Sequence, residues 1–409
     1  MNYEKVLCRR VAEVPPSGIR KFFDIVSEMQ DVISLSVGEP DFNTPWSYTD
    51  AAIYSLRRGH THYTSNWGLI ELRRAINRYM LRRFDVEYDP ANEILVTVGA
   101  SEGIDLALRA VVEPGDEVLV PDPSYVSYMP NIRFAGGVCV TVPTAAENGF
   151  RITPEALRAA ITPRTKALIL PYPNNPTGGV MGRGDLEKLA DALRGTDIVV
   201  ISDEIYAELT YEGRHVSFAS IPGMWERTVT LNGFSKAFAM TGWRMGFACG
   251  PREIMAVMCK IHQYTMLCAS TPGQYAALEA LTAGEQNDYA DVRRMVESYD
   301  RRRRLIVSGL RAAGLSCHEP MGAFYAFPAT PGGMDSQAFC EKLLWEEKIA
   351  VVPGDAFGAL GNGFFRCSYA ASVENIKKAI ARISDLLSRA GSAGSQKLLR
   401  MGDAAPPHA

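Results

Sequence analysis

Between about Glu93 and Gly250, short β-branched runs alternate with stretches of helical periodicity, and no other feature of the chain narrows its fold so far. Six runs read as strands: Ile94 to Val98, Glu117 to Val120, Lys166 to Leu170, Ile198 to Ser202, Thr228 to Leu231 and Met245 to Ala248. Strands separated by helices pair mostly in parallel, with the helices covering both faces of the sheet. Ligands of such open sheets sit beyond the carboxyl ends of the strands, so a site is expected in the loops that follow these runs. A long helical pattern from about Asn287 to Ala313, ended by Gly314, leads into three further strand signals at Phe324 to Phe327, Ile349 to Val352 and Phe364 to Ser368. These predict a second, smaller α+β domain. The expected α/β architecture has four parts: residues 1–45, a segment packing with the small domain; 46–286, the large domain; 287–388, the linker helix and small domain; and 389–409, a tail rich in Gly, Ala, Ser and Pro with too little apolar content to fold.

A chain of 409 residues that is 47% hydrophobic and 22% charged can bury more than one core. Its 43 basic and 46 acidic residues leave a formal net charge of -3, without the excess that attracts nucleic acid, so small molecules are the expected partners. The run Arg301 to Arg304 reads as a solvated helix face. Eight scattered cysteines form no CxxC pair and join no histidine cluster, which predicts reduced, mostly buried thiols and no metal. Residues 1–14 lack the apolar core of a secretory signal, and no apolar run approaches the roughly 18 residues that span a bilayer. A cytoplasmic protein with no membrane partner is expected.

The most specific stretch is Gly233-Phe-Ser-Lys-Ala-Phe-Ala-Met-Thr-Gly-Trp-Arg-Met-Gly246, which resembles the lysine-attachment signature of class I and II aminotransferases at every constrained position. An aldehyde cofactor needs an amine that is neutral at working pH, and a lysine with little water and a nearby cation has its pKa lowered. Lys236 fits that need, with Arg244 as the cation. A phosphate needs amides, a hydroxyl and a cation. The helix expected to open at Ala100-Ser101, together with Ser235 and Arg244, offers all three, although Ser101 is also a plausible N-cap. Asp203, at the end of an apolar strand, suits a pyridine nitrogen, and capping a following helix is its plainer use. Asn175 and Tyr206 suit the 3-oxygen of such a ring, and Tyr125 can stack on it. Arg366 lies in the apolar strand Phe364 to Ser368, where a cation requires an anion: a substrate carboxylate or an internal salt bridge.

From about Ser17 to Ser388 the chain resembles fold-type I pyridoxal-phosphate enzymes, in particular the bacterial aspartate and aromatic aminotransferases. Ser17-Gly-Ile-Arg-Lys21, Ile33 to Asp41, Tyr63-Thr64 with Gly68, Asn175 to Gly178, Asp203 to Tyr206, the lysine signature, Gly322 to Tyr325 and Phe365-Arg366 follow in the family's order. The resemblance implies a large domain binding pyridoxal 5′-phosphate as a Schiff base on Lys236. It implies phosphate contacts from Ala100 and Ser101, stacking by Tyr125, a ring-nitrogen contact from Asp203 and 3-oxygen contacts from Asn175 and Tyr206. Gly38, Asn175 and Arg366 would hold the substrate carboxylate. The family is typically a homodimer, and Tyr63 would reach the neighbour's phosphate.

Several relatives that select aspartate carry a lysine at the position of Ser101, which here offers no positive charge. Ser17 to Phe22, His262-Gln-Tyr264 and Cys268-Ala-Ser270 resemble the N-acetyl-diaminopimelate aminotransferases. The expected reaction moves an amino group from an aspartate, aromatic or diaminopimelate-like L-amino acid to a 2-oxo acid such as 2-oxoglutarate. A carbon-sulfur lyase on the same cofactor would instead release ammonia and pyruvate from cystathionine. A transcription regulator with this fold requires a helix-turn-helix domain, for which the residues before Ile33 are too few. Nucleotide binding lacks both GxxxxGK[ST] and a strand-linked GxGxxG.

Overall fold

The computed structural model describes residues 1–16, 29 and 31–402. Its strands in chain order are β1 (Ile33–Ser34), β2 (Ile94–Thr97), β3 (Glu117–Asp122), β4 (Val138–Pro143), β5 (Thr165–Leu170), β6 (Val199–Asp203), β7 (Thr228–Gly233), β8 (Gly246–Cys249), β9 (Tyr325–Ala326), β10 (Ile349–Ala350), β11 (Val352–Pro353) and β12 (Phe365–Ser368). Seven of them form one sheet in the order β2-β8-β7-β6-β5-β3-β4. The pairs from β4 through β7 are parallel, whereas β8 runs antiparallel to both β7 and β2. This is the expected α/β fold with a mostly parallel sheet.

Successive residues of these strands feed different cores, as the pleat requires. Val118, Val120, Ala167 and Ile169 pack with Ile104 and Leu108 of the helix Gly99–Val111 and with Met255 and Met258 of the helix Arg252–Thr265. Leu119, Leu168 and Leu170 meet Leu186 and Leu189 of the helix Arg183–Leu193 on the opposite face. All six strand readings of this domain correspond to strands within a residue or two at either end. The edge strand β4 was not among them, although Val138, Val140 and Val142 alternate as a strand should; only Val142 of the three is buried.

The helix Thr271–Asn287 packs on the helices Trp46–Arg57 and Ile70–Phe84, and the helix Ala290–Ala312 leads into β9 through β12. There β11, β12 and β9 form an antiparallel sheet. The reading of Ile349 to Val352 as one strand is corrected: β10 pairs with β1 in parallel, while β11 turns into the other sheet. The N-terminal segment divides its packing. Ile33 pairs with Ile349 and the Leu35 carbonyl accepts from the Ser368 amide, both beyond the helix Ala290–Ala312, but the helix Arg9–Ala12 lies against the helix Tyr128–Ala135, which connects β3 to β4 of the seven-stranded sheet.

Two surface expectations also change. Arg303 is only 3% exposed and bonds Asp300 and Glu319, and Arg302 bonds Asp41, so Arg301 to Arg304 is not simply a solvated face. The last helix, Val373–Gly402, extends past Ser388, where composition suggested an unfolded tail, and residues 403–409 lie outside the described residues. The segment Ser17 to Phe22 lies outside them too. All eight cysteines are free thiols and five are buried. Among the described residues no helix is long and apolar enough to cross a membrane, and no group of three or more His, Cys, Asp or Glu could hold a metal ion.

Candidate active site

Because β2, β3, β5, β6 and β7 share a direction, their carboxyl ends open on one edge of the sheet, and a cavity of about 760 Å³ lies there. Each strand delivers a candidate residue. After β2 come Gly99, Ala100 and Ser101; after β3, Tyr125; after β5, Asn175; β6 ends in Asp203, with Tyr206 beyond it; β7 leads to Ser235 and Lys236. Gly38, Arg244 and Arg366 complete the lining among the candidates. Tyr63 stands apart from the cavity and is 81% exposed.

Lys236 is partly buried, and its Nζ donates to the Gly38 carbonyl at 2.6 Å. The same nitrogen lies 5.7 Å from the ring centres of Tyr206 and Phe324. Burial chiefly, and then the Arg366 and Arg244 guanidinium groups, push its pKa down to about 8, against the opposing pull of Glu39 and Asp203. Asp203 is buried at the end of β6, where Tyr128 donates to its Oδ2 at 2.7 Å and the Ile205 amide to its Oδ1 at 3.3 Å. Burial raises its pKa, and the Tyr128 hydrogen bond opposes that rise. It caps no helix.

The helix Gly99–Val111 has Val98 at its N-cap, without a side-chain capping bond. Ser101 therefore sits inside the first turn and is not the cap. The Gly99, Ala100 and Ser101 amides have no carbonyl one turn earlier to bond, so they are donors for an anion. Arg244, at φ 54° and exposed, places its guanidinium against Gly99: a Cβ added at Gly99 would lie 2.7 Å from Arg244 Nη2. Amides, cation and the buried Ser235 hydroxyl thus surround one end of the cavity.

Arg366 occupies the other end and is 2% exposed. Its Nη1 donates to Asn175 Oδ1 at 2.8 Å and its Nη2 to the Ser36 carbonyl at 2.6 Å. The guanidinium lies over Tyr325 at 4.4 Å and over Phe357 at 4.9 Å from the ring centres. No carboxylate pairs with it among the described residues, and its buried Nε has no hydrogen-bond acceptor. The alternative of an internal salt bridge is therefore not met. A buried cation so placed can receive a carboxylate from the cavity.

Three contributors were not singled out from sequence. Tyr128 bonds Asp203, Tyr325 bonds Tyr206 hydroxyl to hydroxyl at 2.8 Å, and Phe357 stacks on Arg366. Tyr325 ends the quoted motif Gly322 to Tyr325 and Tyr128 follows Tyr125 by three residues, while nothing local in the sequence points to Phe357.

The profile of the family described as aminotransferase class I and II matches residues 30–383. The chain is 51% identical to the putative aminotransferase YugH of Bacillus subtilis, over 92% of this chain and 97% of that one. It is 46% identical to an aspartate aminotransferase of Pyrococcus abyssi, again over 92% and 97%. The solved aromatic aminotransferase from Pyrococcus horikoshii superposes with a TM-score of 0.86 at 43% identity, over 91% of this chain and 99% of that one.

Proposed function

Given that the chain belongs to the class I and II aminotransferases, enzymes that move amino groups between amino acids and 2-oxo acids, we propose that Lys236 is its catalytic lysine and that the cavity around it holds pyridoxal 5′-phosphate. Dependence on that cofactor is general in the family. The observation that carries the assignment is the placement of Lys236, whose Nζ lies in the cavity between a cluster of anion donors and a buried arginine that no carboxylate pairs with.

The lining suits the cofactor. The amides of Gly99, Ala100 and Ser101, the Ser235 hydroxyl and Arg244 would hold its phosphate; Asp203 its ring nitrogen; Asn175 and Tyr206 its 3-oxygen; Tyr125 a face of its ring. When bound, the cofactor supplies an aldehyde for the substrate amine and a ring that accepts the electron pair left on Cα. The neutral amine of Lys236 takes the proton from the substrate Cα. Arg366 and Asn175, with Gly38 beside them, orient the substrate carboxylate, and a bidentate grip fixes which Cα bond faces Lys236. Buried Asp203 keeps a proton on the ring nitrogen, and Tyr128 stabilises its charged form.

The donor in this reading is an aspartate, aromatic or N-acylated diaminopimelate-like L-amino acid, and the acceptor a 2-oxo acid such as 2-oxoglutarate. Neutral Ser101 supports a donor other than simple aspartate. The working unit is a homodimer with Tyr63 reaching the partner's phosphate, which the exposure of Tyr63, Trp46 and Tyr264 at 81%, 71% and 83% supports. The free thiols support a reducing, cytoplasmic setting.

The test is Lys236→Ala. Cofactor binding should survive through the phosphate contacts while transamination falls by at least about a thousandfold, consistent with removal of a general acid-base group that also binds covalently. Cofactor absorbance titrated with glutamate, aspartate, phenylalanine and an N-acylated diaminopimelate identifies the donor in the unmodified enzyme. Turnover retained by Lys236→Ala without added amines would overturn the assignment.

A further inference from the structure

Glu102 occupies an unexpected place for a carboxylate. It stands in the first turn of the helix whose opening amides face the proposed phosphate, where a second negative charge repels the ligand. Yet Ala100, Ser101 and Ile104 line the cavity and Glu102 does not. Its side chain turns back. Oε2 accepts from the Val98 amide at 2.5 Å, and Oε1 faces His262 Nδ1 at 2.7 Å.

His262 is fully buried in the last turn of the helix Arg252–Thr265. Its carbonyl accepts from the Met266 amide at 2.8 Å and the Leu267 amide at 3.0 Å, so the backbone that carries the ring is fixed by the turn closing that helix. The imidazole gives Glu102 an anchor in a different element. Burying such a polar pair costs desolvation, which is offset only if both partners stay in place. With Oε1 so anchored, Oε2 of the same carboxylate satisfies the N-cap amide of Val98, one of the opening donors of the helix that have no carbonyl one turn earlier.

We propose that Glu102 and His262 act together as a positioning device, holding the Val98–Ser101 turn so that its amides meet the cofactor phosphate while the Glu102 charge is kept out of the cavity. The device extends to a second segment. The turn after His262 receives Asn66 Nδ2 on the Leu267 carbonyl at 2.8 Å, tying it to the stretch that carries Tyr63. The inference rests on the placement of the phosphate given under Proposed function.

The test compares dissociation constants of the full-length chain for pyridoxal 5′-phosphate and for pyridoxal, which lacks the phosphate. General damage weakens both ligands equally, whereas a misplaced amide turn weakens only the first. Glu102→Ala is expected to narrow the ratio of the two affinities by about tenfold, the size of a charge-assisted hydrogen-bond loss. Glu102→Gln keeps an oxygen for the Val98 amide and should stay within about threefold of the unmodified ratio. His262→Leu should match Glu102→Ala, and the double variant should lose no more than either single one, because the two residues act as one unit. If Glu102→Ala does not fold, His262→Leu carries the same expectation. Arg244→Gln is the control on the placement of the phosphate. If it leaves the ratio unchanged, the phosphate lies elsewhere and both readings fall. If it narrows the ratio while the Glu102 and His262 variants leave it unchanged, or if their losses simply add, the positioning proposal alone is overturned.

Discussion

Burial and two neighbouring guanidinium groups act on Lys236 in one direction. Together they bring its pKa from the ordinary 10.5 to about 8, so half of the side chain is the neutral, nucleophilic amine at that pH. The lowered value belongs to a base, so the neutral fraction grows as pH rises through 8 and is nearly complete two units higher. Capture of pyridoxal 5′-phosphate, followed by rapid mixing across a pH series, should therefore rise to a midpoint near 8 and then level off. Arg366→Gln removes the largest charge contribution to that depression and should move the midpoint upward. A midpoint near 10 in the unmodified protein would show that the cavity leaves the amine unperturbed. At this scale the sequence was informative wherever a role depends on near neighbours. Lys236 lies three residues after β7 and eight before Arg244, and Asp203 ends β6, so each appears in a recognisable string. Tyr128 and Tyr325 reach Asp203 and Tyr206 across 75 and 119 residues, and no local pattern encodes such a pairing.

Elements were legible where burial on both faces demanded short, continuous runs of apolar and β-branched residues, as in β5 and β6. The strands after the helix Ala290–Ala312 were harder. β9, β10 and β11 are two residues each, too short for periodicity, and the change of sheet between Ala350 and Val352 is set by packing against two different partners. Close contact between elements explains why the lysine signature ends in glycine. A Cβ on Gly246 would lie 2.5 Å from the Gly99 carbonyl carbon and 2.6 Å from the Ala100 amide nitrogen, so β8 and the start of the helix Gly99–Val111 can approach only if position 246 is bare. Both obstructing atoms are backbone, and no rotamer change relieves them. Gly246→Ala should destabilise the protein by about 1–3 kcal/mol, the usual cost of overpacking, in urea denaturation, and should weaken cofactor binding. Gly184→Ala, in a helix with open space around the added methyl, should be neutral or slightly stabilising. Equal behaviour of the two variants would mean that the contact between β8 and the helix yields without resistance.

The whole molecule brings together at Arg366 parts that the chain keeps far apart: β12 supplies the guanidinium, the loop after β5 supplies Asn175, and the N-terminal segment supplies the Ser36 carbonyl. If Arg366 holds the substrate carboxylate as proposed, binding at this point depends on both sheets and on the segment that follows β1. Tyr63 extends the dependence beyond one chain in the proposed dimer, since an 81% exposed phenol away from its own cavity can serve phosphate only across an interface. Two defective variants distinguish this arrangement from one in which each chain is self-sufficient. Lys236→Ala lacks the amine proposed as catalytic but keeps Tyr63; Tyr63→Ala has the reverse defect and should bind cofactor about tenfold more weakly, as for a lost hydrogen bond to a charged group. When the two are mixed and allowed to exchange subunits, a mixed dimer contains one site with both defects and one with neither. Random exchange of equal amounts makes half of the dimers mixed, so about a quarter of all sites should recover the unmodified cofactor affinity and turnover. Measured at cofactor concentrations too low to saturate Tyr63→Ala, the mixture should exceed the average of the two separate variants. If Tyr63 serves its own chain instead, every site with Lys236 still lacks Tyr63, and mixing restores nothing.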